Sequence, residues 1–149
     1  MQEFLSGFIY NELFRAIFFS WFLAQSIKIL NNIFKRKQRF NFKWFANAGG
    51  MPSSHSATVG ALATGVGLKW GFDSDIFAFA LLFSLITIFN AAVFRRNAGK
   101  QAEILNKVIE DIYAKRGIKK EKLIELLGHT PLEVIVGALL GIAVAVVFN

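Results

Sequence analysis

The chain has 149 residues, 54% of them hydrophobic and 17 of them Phe, with a formal net charge of +7 and no Cys. That length fits one domain, either a compact soluble one or a small membrane bundle. The lack of Cys excludes thiolate catalysis, disulfides and thiolate metal sites, and redox chemistry therefore says nothing about the compartment.

In chain order, the N-terminus Met1-Gln2-Glu3-Phe4 lacks the basic n-region of a secretory signal, and no clear cleavage site follows the first apolar run. That run, residues 13–30, is therefore expected to be retained as a span. Arg15 and Lys28 stand near its two ends, where long side chains can snorkel. Residues 54–70 are rich in Gly, Ala, Ser and Thr, which suits a helix surrounded by other helices better than one facing lipid. Residues 76–94 form an unbroken uncharged stretch, long enough to cross a hydrocarbon core of about 30 Å, and make the strongest span. A last apolar run reaches from Val134 to Phe148, and back to Pro131 if Glu133 faces a protein interior.

The expected fold is all-α: an integral membrane helical bundle in a single domain over 1–149, with about four transmembrane helices and a cytoplasmic amphipathic helix. Charge orients it. The first long connection carries Lys35, Arg36, Lys37, Arg39 and Lys43 with no acid, and basic residues outnumber acidic ones over 95–128. The positive-inside rule then puts both long connections, and the site described next, on the cytoplasmic side with both termini outside. These charges serve topology first and can also attract anionic headgroups. No recognised nucleic-acid module accompanies them, so they do not indicate nucleic-acid binding. Within 95–128, Ile104, Leu105, Val108, Ile109, Ile112 and Tyr113 recur at helical spacing opposite Lys107, Glu110, Asp111 and Lys115. This amphipathic helix is expected to lie on the membrane surface or pack under the bundle, with control of substrate entry as the sharper reading. Arg116-Gly117 breaks it before a second short helical segment, 119–127.

Four spans bring distant polar residues to one face. Lys28 ends the first, His55 begins the second, Arg95 and Arg96 end the third, and His129 with Glu133 begins the fourth. The run Gly49-Gly50-Met51-Pro52-Ser53-Ser54-His55-Ser56 combines glycines that let backbone approach a ligand, a proline able to start a helix, and donors for phosphate oxygens. A helix N-terminus adds free amides and the positive end of its dipole. His129 and Glu133, four apart, share a face if both lie on one helix. The carboxylate would then fix the imidazole tautomer and leave the other nitrogen for attack on phosphorus, His55 protonating the leaving oxygen. Arg95, Arg96 and Lys28 would neutralise phosphoryl oxygens, with Gly50, Ser53 and Ser54 adding donors.

Each residue also has a plainer use. His129 could cap or contact a loop, and the arginines could be interfacial anchors. A carboxylate within an apolar span, however, calls for a partner or a function. The two histidines and Glu133 also suit a metal by residue type, but the His-Glu-x-x-His spacing is missing and the proposed chemistry needs no metal or other cofactor. Gly137-x-x-x-Gly141 fits helix dimerisation, hence a homo-oligomer, or close packing within one bundle.

At these positions the chain resembles the divergent branch of the type 2 phosphatidic acid phosphatase superfamily, also described as acid phosphatase/vanadium-dependent haloperoxidase-related membrane proteins. The similar blocks are Ala24-Gln25-x-x-Lys28, Gly49 to Ala57, Arg95-Arg96-x-Ala98-Gly99-x-Gln101-Ala102 and Leu127-Gly128-His129-x-Pro131-x-Glu133-Val134. The resemblance implies a helical membrane protein with metal-independent phosphatase chemistry. By it, His55 corresponds to the acid of the superfamily's Pro-Ser-Gly-His motif, His129 to the nucleophile and Glu133 to the orienting acid. Arg95 or Arg96 corresponds to its arginine. Ser54 stands where that motif has Gly, both arginines lie far upstream of His129, and no Lys-x6-Arg-Pro motif exists. Divergent relatives often carry Asp where this chain has Asn90 and His where it has Asn97.

The expected function is hydrolysis of a lipid phosphate or diphosphate at the cytoplasmic face, with membrane lipids as the surroundings. The alternatives are a non-catalytic lipid-phosphate binder or transporter, which the two asparagines favour, and a structural membrane subunit.

Overall fold

In the computed structural model, residues 7, 10–36, 50–114 and 128–149 are described, and every regular element among them is helical. Helix α1 spans Glu12–Arg36, α2 Ser54–Trp70, α3 Asp75–Phe89, α4 Arg95–Ala114 and α5 Pro131–Phe148, with a π-helical turn at Asn90–Phe94. Gly49, Lys37, Arg39, Lys43 and the short helix expected over 119–127 lie outside the described residues, as do the side chains of Lys35, Arg36, Asp111, Ile112 and Tyr113.

Local chemistry sets the helix ends. Before α1, the Asn11 side-chain oxygen accepts the Phe14 N–H (3.2 Å), and Glu12 meets the positive end of the dipole. Ser53 caps α2 and Ser74 caps α3, each accepting an N–H three residues on. Pro52 therefore does not start α2 as its residue type suggests. It precedes the cap, in a cis peptide bond with Met51. Gly71 ends α2 at φ +92°, a left-handed value that favours Gly, and returns its N–H to the Gly67 carbonyl (2.9 Å). The turn to Ser74 makes α2 and α3 a helical hairpin.

Helix α2 sits at the centre, packed against α1, α3 and α5. Its small residues explain the position, because backbones must come close where no large side chain intervenes. A Cβ on Gly60 would stand 2.8 Å from the Ala138 carbonyl, and one on Gly141 would run into the Ala57 carbonyl. The Gly137-x-x-x-Gly141 pair is thus used inside the bundle, facing α2. Ser84 ties α3 to α2, its hydroxyl reaching the Val59 carbonyl (3.0 Å) and the Ala80 carbonyl one turn back (2.7 Å). At the far end, the Phe19 and Phe148 rings stack at 5.1 Å, joining α1 to α5.

Among the described residues, three helical stretches are long and apolar enough to cross a membrane: Glu12–Phe34, one within Asp75–Glu110, and Pro131–Phe148. Helix α2, with 17 residues, is about 26 Å long and is enclosed by them. The outer surface carries large exposed apolar side chains such as Phe79 (72%) and Val147 (81%). Such a continuous apolar surface belongs against lipid, and the protein is an all-helical membrane bundle. The strongest span extends past expectation: α3 passes through the π turn into α4 without a break, and the amphipathic segment continues the same rod.

Candidate functional site

One end of the bundle gathers the starts of α2 and α5, the π turn and the Lys28 turn of α1. His55 is the second residue of α2 and is exposed, whereas His129, just before α5, is 2% exposed. Their ring centroids are 6.1 Å apart with the planes at 61°. Two histidines separated by much of the chain therefore meet across the α2–α5 contact.

His129 Nδ1 lies 3.1 Å from Glu133 Oε2. An ionised carboxylate only accepts, so Nδ1 is the ring's donor, and in the neutral ring Nε2 carries the lone pair. The route to this contact differs from the shared helical face expected from the spacing. His129 is not on the helix. Thr130 is the N-cap, its hydroxyl accepting the Glu133 N–H (3.3 Å), and Glu133 Oε2 reaches back to the Thr130 N–H (3.0 Å). This capping box turns the carboxylate toward the residue before the cap. Thr130→Ala removes half of the box and is expected to lower stability by about 1 kcal/mol. A thermal unfolding midpoint unchanged from wild type would show that the hydroxyl contributes nothing.

Two backbone bonds fix the ends of the site. The His129 N–H donates to the Ala91 carbonyl in the π turn (3.1 Å), and the Ser53 N–H donates to the Glu133 carbonyl (3.0 Å). The second locks the start of α2 onto the first turn of α5. A π turn offsets the carbonyl ladder by one residue, which provides an acceptor for a segment outside the helix.

Lys28 is 3% exposed and close enough to Glu133 to feel its charge. Gly50, at φ +91°, rests on the Lys28 stem, where a Cβ would come within 3.2 Å of Cγ. Ser53 is fully buried, and its oxygen takes the Ser56 N–H (3.3 Å) and the Ser56 hydroxyl (3.0 Å). It works as a cap in this arrangement. Ser54 is buried in the first turn of α2. Arg95 and Arg96 open α4 directly after the π turn, and their side chains lie outside the described residues. Among the described residues, no three His, Asp or Glu groups are arranged to hold a metal ion.

Sequence reasoning passed over Asn31, Thr130 and Ala91. Asn31 Nδ2 donates to the Met51 carbonyl (3.2 Å), steadying the loop before α2. Gln25, Lys28 and Asn31 form a polar stripe at three-residue spacing on α1, and that stripe is the signal in the sequence.

Compared with known families, residues 9–144 match the family described as the Divergent PAP2 family. The chain belongs to the Divergent PAP2 family. A relative in Bacillus subtilis (strain 168), "Uncharacterized membrane protein YuiD", is 41% identical over 158 aligned positions, covering 98% of this chain and 96% of its own. No solved structure matches. Within this Divergent PAP2 family bundle, His55, His129, Glu133, Lys28, Gly50, Ser53 and Ser54 converge at one end, and the backbone of Arg95 and Arg96 follows the π turn that holds His129.

Proposed function

We propose that the protein is a membrane phosphatase acting on a lipid phosphate or diphosphate through a phosphohistidine on His129. The observation that carries this reading is the buried His129 ring, held by Glu133 at Nδ1 with His55 beside it. In the proposed step, His129 Nε2 attacks phosphorus as the bond from phosphorus to the leaving oxygen breaks, and His55 gives its proton to that oxygen. Water then attacks the phosphohistidine and yields its proton to His55. The N–P bond breaks, orthophosphate departs and His129 is restored. Lys28, Arg95 and Arg96 supply positive charge for the phosphoryl oxygens, and Gly50, Ser53 and Ser54 form the backbone wall beside them. The basic connections favour a cytoplasmic site, four spans and outer termini.

A second reading, a lipid-phosphate binder or transporter without turnover, is favoured by Asn90. It opens the π turn that holds His129, and an amide there supplies no carboxylate for proton transfer. Detergent-purified protein separates the two on a panel of phosphatidic acid, phosphatidylglycerophosphate and isoprenyl phosphates without added metal. Orthophosphate release from at least one is expected. Saturable binding with no release would replace the phosphatase by the binder.

A further inference from the structure

Helices α2, α3 and α5 leave between them an apolar groove of about 220 Å³ that the catalytic proposal does not use. Its floor is made by small residues, Ala63 and Thr64 on α2 and Ala138 on α5, where Gly60 brings the two backbones together. Its rim is made by large exposed ones, including Leu81, Leu85 and Ile142, so it opens sideways toward the surrounding lipid.

The groove starts next to the histidine pair. Val59, at its near end, is one helical turn beyond His55, and Ile88 precedes by three residues the Ala91 carbonyl that holds His129. It extends about 16 Å along α3 to Phe77, where the Phe72 and Phe77 rings close it edge to face at 5.1 Å. No charged side chain lines it, and the Ser84 hydroxyl is already committed to two carbonyls. A polar ligand would find only the Thr64 hydroxyl to replace its hydration, whereas a hydrocarbon chain needs no partner.

We infer that this groove seats the hydrocarbon chain of an amphiphile whose phosphate occupies the histidine site. The inference rests on the proposed headgroup site and adds the position of the chain. The charged groups of the described site lie at the near end only, so a phosphate with a long apolar tail satisfies both parts in a single orientation. Lipid tails outside are as apolar as the groove, so seating a chain adds little hydrophobic free energy. The gain is alignment: a chain held between α2 and α3 delivers its phosphate to His129 in one register.

The test compares hydrolysis of dioleoyl and dihexanoyl phosphatidic acid in detergent by wild type, Ala63→Phe, which fills the floor, and Leu85→Trp, which narrows the exposed rim. Both variants are expected to lose about tenfold in kcat/KM on the dioleoyl substrate and to keep the dihexanoyl rate. An unchanged dioleoyl rate, or an equal loss on both substrates, overturns the groove. Leu85→Trp keeps the test decisive if Ala63→Phe does not fold, because position 85 faces outward. If wild type releases no phosphate, the phosphatase reading fails separately, and native mass spectrometry reads the same proteins. Loss of bound dioleoyl phosphatidic acid in Leu85→Trp with dihexanoyl binding retained supports the groove, and undiminished dioleoyl binding overturns it.

Discussion

His129→Ala is expected to reduce phosphate release to the level of the uncatalysed control while the purified protein stays monodisperse. The ring is the proposed nucleophile, and its neighbours have other roles: in the proposed step His55, 6.1 Å away between ring centroids, serves the leaving oxygen, and Glu133 holds Nδ1. The structural loss is modest by comparison. Glu133 keeps the Thr130 N–H, and the His129 backbone bond to Ala91 does not depend on the side chain. His55→Ala should behave differently. Removing a general acid typically costs about 10²–10⁴ in rate, but a leaving group that needs no proton escapes that loss. Nitrophenyl phosphate turnover should therefore survive His55→Ala far better than lipid turnover, and should vanish in His129→Ala. If His129→Ala hydrolyses lipid phosphate at the wild-type rate, the phosphohistidine mechanism is wrong.

The helical bundle was legible because its signals are local. The uncharged run over residues 76–94 and the small-residue composition of residues 54–70 each state where a helix lies and whether it faces lipid or other helices. The convergence of His55 with His129 and Glu133 followed from counting spans. Finer geometry was harder to read for identifiable reasons. Thr130-Pro131-Leu132-Glu133 is a capping-box sequence, so the placement of His129 before the helix was available, but simple four-residue spacing pointed to a shared face instead. The π turn has no comparable marker, because Asn90-Ala91-Ala92-Val93-Phe94 contains neither Gly nor Pro. Its acceptor is used by a residue far along the chain. Ser53 reads as a phosphate donor by type, and only the fold shows that its oxygen also accepts from Ser56 as the cap of α2. The role of Gly137 and Gly141 was undecidable between two chains and one, since a small-residue pair names a close contact without naming its partner.

That contact supports the second large effect. Gly137→Ala is expected to destabilise the bundle by about 3 kcal/mol, at the upper end for overpacking, and to lower phosphate release with it. The added methyl would run into the Ser53 carbonyl and stand 3.1 Å from both Ser53 N and Ser56 Cβ. Two of these atoms are backbone, so no side-chain rotation relieves the clash and α2 must move off α5. That movement stretches the Ser53 N–H bond to the Glu133 carbonyl and carries His55 away from His129. Gly7, where a Cβ meets nothing within 4 Å, supplies the control. Thermal unfolding and phosphate release should both fall for Gly137→Ala and neither for Gly7→Ala. Normal stability with lost activity would place the effect of Gly137 in the histidine geometry alone, whereas normal stability and activity would mean that α2 and α5 are not held together through this glycine.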